Sequence, residues 1–162
     1  MKNTASYPEN FSPGPKSPPE LASPHPPVSG DFAAAVQQLL DGTPIDALVL
    51  NAGLQFRDTA HRTVDGFETT FAVNHLAHYL LARLLLPLVA DGGRLVITTS
   101  DTHDPKIIPF APRTIDPQQL AHPTTGGMAA GFRAYASSKL CNLLTAQSFS
   151  ELDDVTHRAI AV

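Results

Sequence analysis

From Asp31 onward the apolar residues alternate between two periods. "GDFAAAVQQLLDG" predicts a short helix: Asp31 can cap its start, Phe32, Val36, Leu39 and Leu40 line one side, and Gly42 ends it. "IDALVLNAG" is a short apolar run closed by Asn51-Ala52-Gly53, the pattern of a strand buried on both faces. In "VDGFETTFAVNHLAHYLLARLLLPLVADGG", Phe67, Phe71, Leu76, Leu80, Leu84 and Leu88 recur at helical spacing, and Asp91-Gly92-Gly93 closes the helix. "GRLVITTS" predicts a second strand. A long Pro-rich loop, a helix around Tyr135 and a third strand starting in "HRAIAV" follow.

Strand, helix, strand, helix, strand is the order of parallel β-α-β units, so the expected class is α/β, a partial Rossmann-like doubly wound parallel sheet of about three core strands with flanking helices. Right-handed crossovers would place helices on both faces, and chemistry gathers at the carboxyl ends of such strands. Asn51-Ala52-Gly53 and Thr99-Ser100 stand at two of those ends.

The first thirty residues have no such period. Eight of the fifteen prolines lie in residues 1–27, with too little apolar material to offset the entropy of ordering. Residues 1–30 are expected to form a disordered or extended tail; a Pro-rich docking segment is the functional alternative. Residues 31–162 form the expected domain.

Of the 162 residues, 43% are hydrophobic and the net charge is -4. That suits one domain with one core and gives no basic tract for a nucleic acid. No apolar run reaches the ~18 residues of a membrane span, Leu80–Ala90 being broken by Arg83 and Pro87. The single cysteine, Cys141, excludes an internal disulfide and suits a reducing cytoplasm, and position makes it a small buried hydrophobe.

Within "RAYASSKLCNLLTAQ", Tyr135 precedes Lys139 by four residues, so the phenol and the ammonium share a helix face. An ammonium beside a phenol favours the phenolate, which suits proton transfer near neutrality. The same spacing also describes two solvated polar residues, and spacing alone does not choose. Asn74 alone reads as a polar residue on an amphipathic helix, Ser100 as a cap in "TTSDTHD", and Asn51-Ala52-Gly53 as a turn. His103 reads as a solvated loop residue. His75 and His78 lie three apart on one helix but no third ligand is evident, so no metal is expected.

Together, "NAG" after a strand, "FAVNHLAHYLL", "GRLVITTSDTH" and "YASSKLCN" occur in the order used by short-chain dehydrogenases/reductases, and the chain resembles that family from about Asp31 to Val162. The resemblance is to the branch with retinol-dehydrogenase-like and protochlorophyllide-reductase-like members. It implies an oxidoreductase moving a hydride between NADP(H) or NAD(H) and a carbonyl/alcohol substrate. Tyr135 would pass a proton to or from the substrate oxygen, while Lys139 lowers the Tyr135 pKa and binds the nicotinamide ribose. Ser100 would hydrogen-bond the substrate oxygen, and Asn74 would hold a relay water for Lys139. Asn51, Ala52 and Gly53 would line the adenosine side of the cofactor, with Gly53 allowing close backbone approach. Helices at 65–90 and 131–150 resemble those of the family's dimer interface, implying a homo-oligomer.

The sequence departs from the family at both ends. The G-x-x-x-G-x-G turn that cradles the pyrophosphate is not found, nor the segment that follows the third strand, so the chain reads as truncated. Charge-assisted hydrogen bonds are worth about 1.5–3 kcal/mol each, and losing two or three weakens cofactor affinity on the order of a hundredfold to a millionfold. The isolated chain is therefore expected to be weakly active or inactive, and the alternative is a non-catalytic remnant acting as a dimerisation module. Ser100 and Tyr135 stand thirty-five residues apart, a wider gap than in many members.

Overall fold

The computed structural model describes residues 28–109, 111–152 and 158–162. The Pro-rich segment 1–27, on which the tail expectation rests, lies outside them.

Three strands, β1 (Ile45–Leu50), β2 (Val89–Ile97) and β3 (Arg158–Ala161), form one sheet in the order β1-β2-β3. Both pairings are parallel, with Leu48 opposite Leu95, Leu50 opposite Ile97 and Leu95 opposite Ala159. The expected class and strand sequence are therefore present, and the three strand ends form one rim.

The expected burial of β1 on both faces is corrected. Leu48, Leu50, Leu95 and Ile97 share the face packed against Ala82, Ala146 and Phe149 of the two long helices. On the other face Ala47 and Arg94 are exposed and Val49 is 57% exposed. Successive β-α-β crossovers of one hand put their helices on one side, and β1 is at the sheet edge. An apolar run records a preference for burial but does not supply the second layer.

The first helix, Val28–Leu40, begins before the expected cap, so Asp31 lies in its first turn. It packs on the next helix, with Ala33 buried and Val36 and Leu40 half-buried, while Phe32 and Leu39 of the predicted apolar side are exposed. Asp41 and Gly42, with φ of 46° and 81°, turn the chain into β1.

The second helix, here the Asn74 helix, runs Thr69–Leu88. Glu68 caps it, its buried carboxylate accepting from the amides of Thr70 (3.0 Å) and Phe71 (2.7 Å). A π-helical turn occupies Ala72–Leu76, regular α-helix resumes over Ala77–Leu85, and a 3-10 turn at Leu86–Leu88 ends it. Asp91-Gly92-Gly93 lies inside β2 rather than closing this helix, because Pro87 already does so. By length and composition the helix could cross a membrane, but its inward face, Thr70, Phe71, Asn74, His78, Ala82 and Leu85, is buried against the rest of the domain.

The Tyr135 helix, Met128–Leu152, packs beside it. The Pro-rich loop between β2 and this helix contains a 3-10 turn at Asp101–His103 and a short helix at Pro117–Ala121 capped by Asp116. Ile115, Leu120 and Ala121 fold back onto Phe67, Phe71 and Cys141. The loop thus covers one end of the groove between the two long helices.

Candidate active site

Lys139 is the centre of the polar cluster at the strand ends. Its side chain is 3% exposed, and burial holds its pKa below the ordinary lysine value. Nζ donates to the Thr98 carbonyl at 3.2 Å and lies 5.7 Å from the centroid of the Tyr135 ring. The i, i+4 spacing therefore does bring the pair together, on a buried face rather than a solvated one. Thr99 Oγ1 donates to the Lys139 carbonyl (2.7 Å), tying the helix to the end of β2.

Asn74 joins the same cluster from the π-turn. Its Oδ1 accepts from the Leu54 amide (2.8 Å), and its Nδ2 donates to the Leu54 carbonyl (2.8 Å) and to Ser138 Oγ (3.2 Å). Both amide hydrogens are used, so Asn74 acts as a strut that holds the loop after β1. π-turns concentrate at functional sites because they redirect one side chain out of the helical repeat.

That loop places Asn51, Ala52 and Gly53 at the exposed rim. Asn51 Oδ1 accepts from Thr98 Oγ1 at 2.7 Å. A Cβ on Gly53 would stand 3.5 Å from Asn74 Oδ1 and 3.6 Å from Lys139 Nζ. Those are ordinary contacts, so packing alone does not demand glycine there, although a methyl would fill the space above the ammonium.

Ser100 lies half-buried at the start of the 3-10 turn. Its Oγ accepts from the Thr102 amide (3.3 Å) and contacts Thr102 Oγ1 (3.2 Å) and Asp101 Oδ1 (3.4 Å). Among the described residues no hydrogen bond joins it to Tyr135 or Lys139. The capping role read from "TTSDTHD" is thus real, and any role toward a substrate would be additional. His103 donates from Nδ1 to the Ser100 carbonyl.

Gly131 is a position that spacing did not reveal. A Cβ there would lie 2.6 Å from the Phe56 carbonyl oxygen and 2.8 Å from that of Arg57, so the helix rests directly on the loop backbone. Thr59 pins the same loop, exchanging hydrogen bonds with Gly126 (3.1 and 3.0 Å). Alanine normally stabilises a helix interior by about 0.5–1 kcal/mol over glycine. Here it forces backbone apart, and Gly131→Ala is expected to destabilise by about 1–3 kcal/mol in a denaturant melt. A stabilised variant would contradict this packing.

His78, four residues after Asn74, is 4% exposed, and neither ring nitrogen has a hydrogen-bond partner among the described residues. Burial, then the Lys139 charge and then His75, lower its pKa from 6.5 to about 4. Between those values the unfolded chain takes up the proton first, so this stability is complete above pH ~6.5 and is lost as pH falls toward 4. The loss is on the order of 2–3 kcal/mol. Melts at about pH 7 and about pH 4.5 check it, and His78→Leu should lose less over that interval than wild type. An equal loss would assign the acid sensitivity elsewhere.

A cavity of about 510 Å³ lined by Thr59, Leu120, His122, Arg133 and Ala134 runs along the start of the Tyr135 helix, but the expected site residues do not line it. Among the described residues no three His, Cys, Asp or Glu side chains come together as a metal site. Asn142, in "YASSKLCN", carries no local signal in the sequence, yet it meets three partners in this cluster.

Residues 29–110 match the family described as short chain dehydrogenase. The chain is 37% identical over 141 residues to protochlorophyllide reductase A of Oryza sativa, covering 71% of this chain and 36% of that protein. It is 36% identical over 107 residues to a WW domain-containing oxidoreductase of Drosophila melanogaster, covering 66% of this chain and 25% of that protein. In fold it is similar to a short chain dehydrogenase from Burkholderia cenocepacia solved in complex with NADP, with a TM-score of 0.56 and 22% identity, over 82% of this chain and 47% of the other. The chain thus spans about a quarter to just under half the length of these proteins.

Proposed function

The chain belongs to the short chain dehydrogenase family, and on that premise we propose that it serves an NAD(P)-dependent oxidoreductase acting on a carbonyl/alcohol pair. The observation that carries this is the buried Lys139 ammonium. Of its three N–H groups one goes to the Thr98 carbonyl, and no other hydrogen bond is made among the described residues. Two donors therefore remain for a ligand, and they fit the hydroxyls of a nicotinamide ribose. When bound, the nicotinamide supplies or accepts the hydride.

The chain's own residues do the rest. Tyr135, whose hydroxyl makes no hydrogen bond among the described residues, passes a proton to or from the substrate oxygen at Oη. Lys139 puts a positive charge beside that ring and grips the ribose. Asn74 holds the loop in place through Leu54, and the free lone pair of its Oδ1 is the place for a relay water. Ser100 Oγ turns toward the substrate oxygen in addition to capping. Asn51, Ala52 and Gly53 form the adenosine-side wall.

Protochlorophyllide reductase and the Drosophila oxidoreductase share the chemistry class in their names, which supports a reductase without choosing the substrate or between NADPH and NADH. No Gly-rich turn joins a strand to a helix among the described residues, so we expect the isolated chain to bind cofactor weakly and turn over slowly. A homo-oligomer through the two long helices goes with this reading, using the part of their groove at Tyr79 and Leu144 that the Ile115–Ala121 segment leaves exposed. Neither nucleic acid nor a membrane enters it, and the buried free thiol of Cys141 suits the cytoplasm. The test is oxidation of millimolar NADPH by the purified chain in the presence of an aromatic aldehyde. Consumption no faster than the protein-free blank would overturn activity in this chain.

A further inference from the structure

Asn142 is 1% exposed and stands where three elements meet. Its Nδ2 donates to the Asn74 carbonyl in the π-turn (2.9 Å) and to the Thr98 carbonyl at the end of β2 (3.0 Å). The Thr98 carbonyl is the same acceptor that takes Lys139 Nζ. Asn142 Oδ1 lies 3.1 Å from His75 Nδ1.

The hydrogen bonds fix every orientation in this group. Two carbonyls can only accept, so the NH₂ end of the Asn142 amide must face them, and Oδ1 must face His75. His75 Nδ1 then carries the proton. A flipped amide would set its oxygen against two carbonyl oxygens, so the two carbonyls fix the amide and the His75 donor pairs the one buried atom left over, Oδ1. Fixed in this way, one amide spans the π-turn that aims Asn74 and the strand end that anchors Lys139.

We propose that Asn142, its Oδ1 paired by His75, is a positioning residue that holds the Lys139 ammonium on the Thr98 carbonyl and the Asn74 turn beside it. Without Asn142 the π-turn loses its link to β2, the strand end shifts, and Lys139 leaves its buried position for water. Without the His75 donor the buried Oδ1 is left unpaired, the amide shifts toward water, and the same link is loosened. His75 is half-buried in the groove between the long helices, so it can be changed without opening the core. The importance of this arrangement for turnover rests on the function proposed above, but the positioning itself does not.

The test follows Lys139 directly, by a pH titration of lysine side-chain carbon signals in NMR. The chain has four lysines, Lys2, Lys16, Lys106 and Lys139, so assignment needs one Lys139→Arg spectrum. Burial holds the wild-type Lys139 below 10.5. In Asn142→Leu and His75→Leu the Lys139 midpoint is expected to rise toward the ordinary ~10.4. In His75→Asn, whose amide N–H can replace Nδ1–H, it returns to the wild-type position. The other groups around the ammonium, the Tyr135 ring and His78, are not themselves replaced, and His75 and His78 are both neutral where a lysine titrates, so removing His75 adds no charge effect there. Where turnover is measurable, the two leucine variants lose about tenfold to a hundredfold and the asparagine variant recovers.

A general loss of stability would not move the midpoint of the folded molecules and would not be rescued by asparagine. A Lys139 midpoint unchanged in both leucine variants, or one that His75→Asn fails to restore, overturns the proposal. If Asn142→Leu does not fold, the two His75 variants decide. If the wild type neither binds nor oxidises NADPH while the midpoints move as stated, the positioning stands and the proposed function falls.

Discussion

Tyr135→Phe is expected to keep the fold and the nicotinamide affinity of the wild type and to lose at least ~100-fold in turnover. The substitution removes one oxygen. That oxygen makes no hydrogen bond among the described residues, so its loss leaves no buried group unpaired, and the half-buried ring keeps its packing. The stability change should be within about 0.5 kcal/mol. Lys139 keeps its anchor at Thr98 and its distance from the ring, so the proposed hold on a ribose is expected to be unaffected. What is lost is the oxygen proposed to exchange a proton with the substrate, and general acid–base catalysis contributes about 10²–10⁴-fold. Initial rates at millimolar NADPH, with fluorescence binding and a thermal melt on the same samples, separate the three quantities. A variant as fast as wild type would mean that the proton comes from elsewhere.

Asn74→Leu is the second large effect, and here stability and activity fall together. Leucine fills a similar volume but leaves the Leu54 amide and carbonyl without their 2.8 Å partners. Unpaired, partly buried backbone groups cost about 1–3 kcal/mol each, so a total of about 2–4 kcal/mol is expected, water recovering part of it. The loop from Asn51 to Leu54 then lifts from Lys139. Amide hydrogen exchange gives the specific signature: the Leu54 amide changes from protected to rapidly exchanging. Asn74→Ala should release the loop equally, which distinguishes lost hydrogen bonds from crowding. A Leu54 amide that stays protected in both variants would contradict the strut.

The alternation of strands and helices was legible because the apolar period changes cleanly from one element to the next, and the Tyr135–Lys139 pairing because helical geometry fixes what four residues of separation means. Three features were not legible, for physical reasons. The π-turn at Ala72–Leu76 shows in the apolar series only as one step of five, Phe71 to Leu76, among steps of four, and a single long step also occurs in ordinary amphipathic helices, so "FAVNHLAHYLL" looks like uninterrupted α-helix. The open face of β1 depends on which layer packs against it, and Val49 reads the same whether covered or exposed. The task of Asn142 is set by two carbonyls and a histidine on other elements, and a side chain's partners across the fold have no local signal. Ser100 shows the converse: its capping was visible in the cap-forming residues around it, and the structure displays that role first.

The central claim is that Lys139 presents two open donors to a nicotinamide ribose. The most direct measurement is titration of the purified chain with NADPH, followed by nicotinamide fluorescence, for wild type and Lys139→Met side by side. Methionine keeps an unbranched stem that reaches to Cε and removes the donors beyond it. The expected result is saturation of the wild type in the millimolar range, with Lys139→Met at least about tenfold weaker, the equivalent of one charge-assisted hydrogen bond. A wild type that does not bind, or a Lys139→Met variant that binds as tightly as wild type, would contradict it.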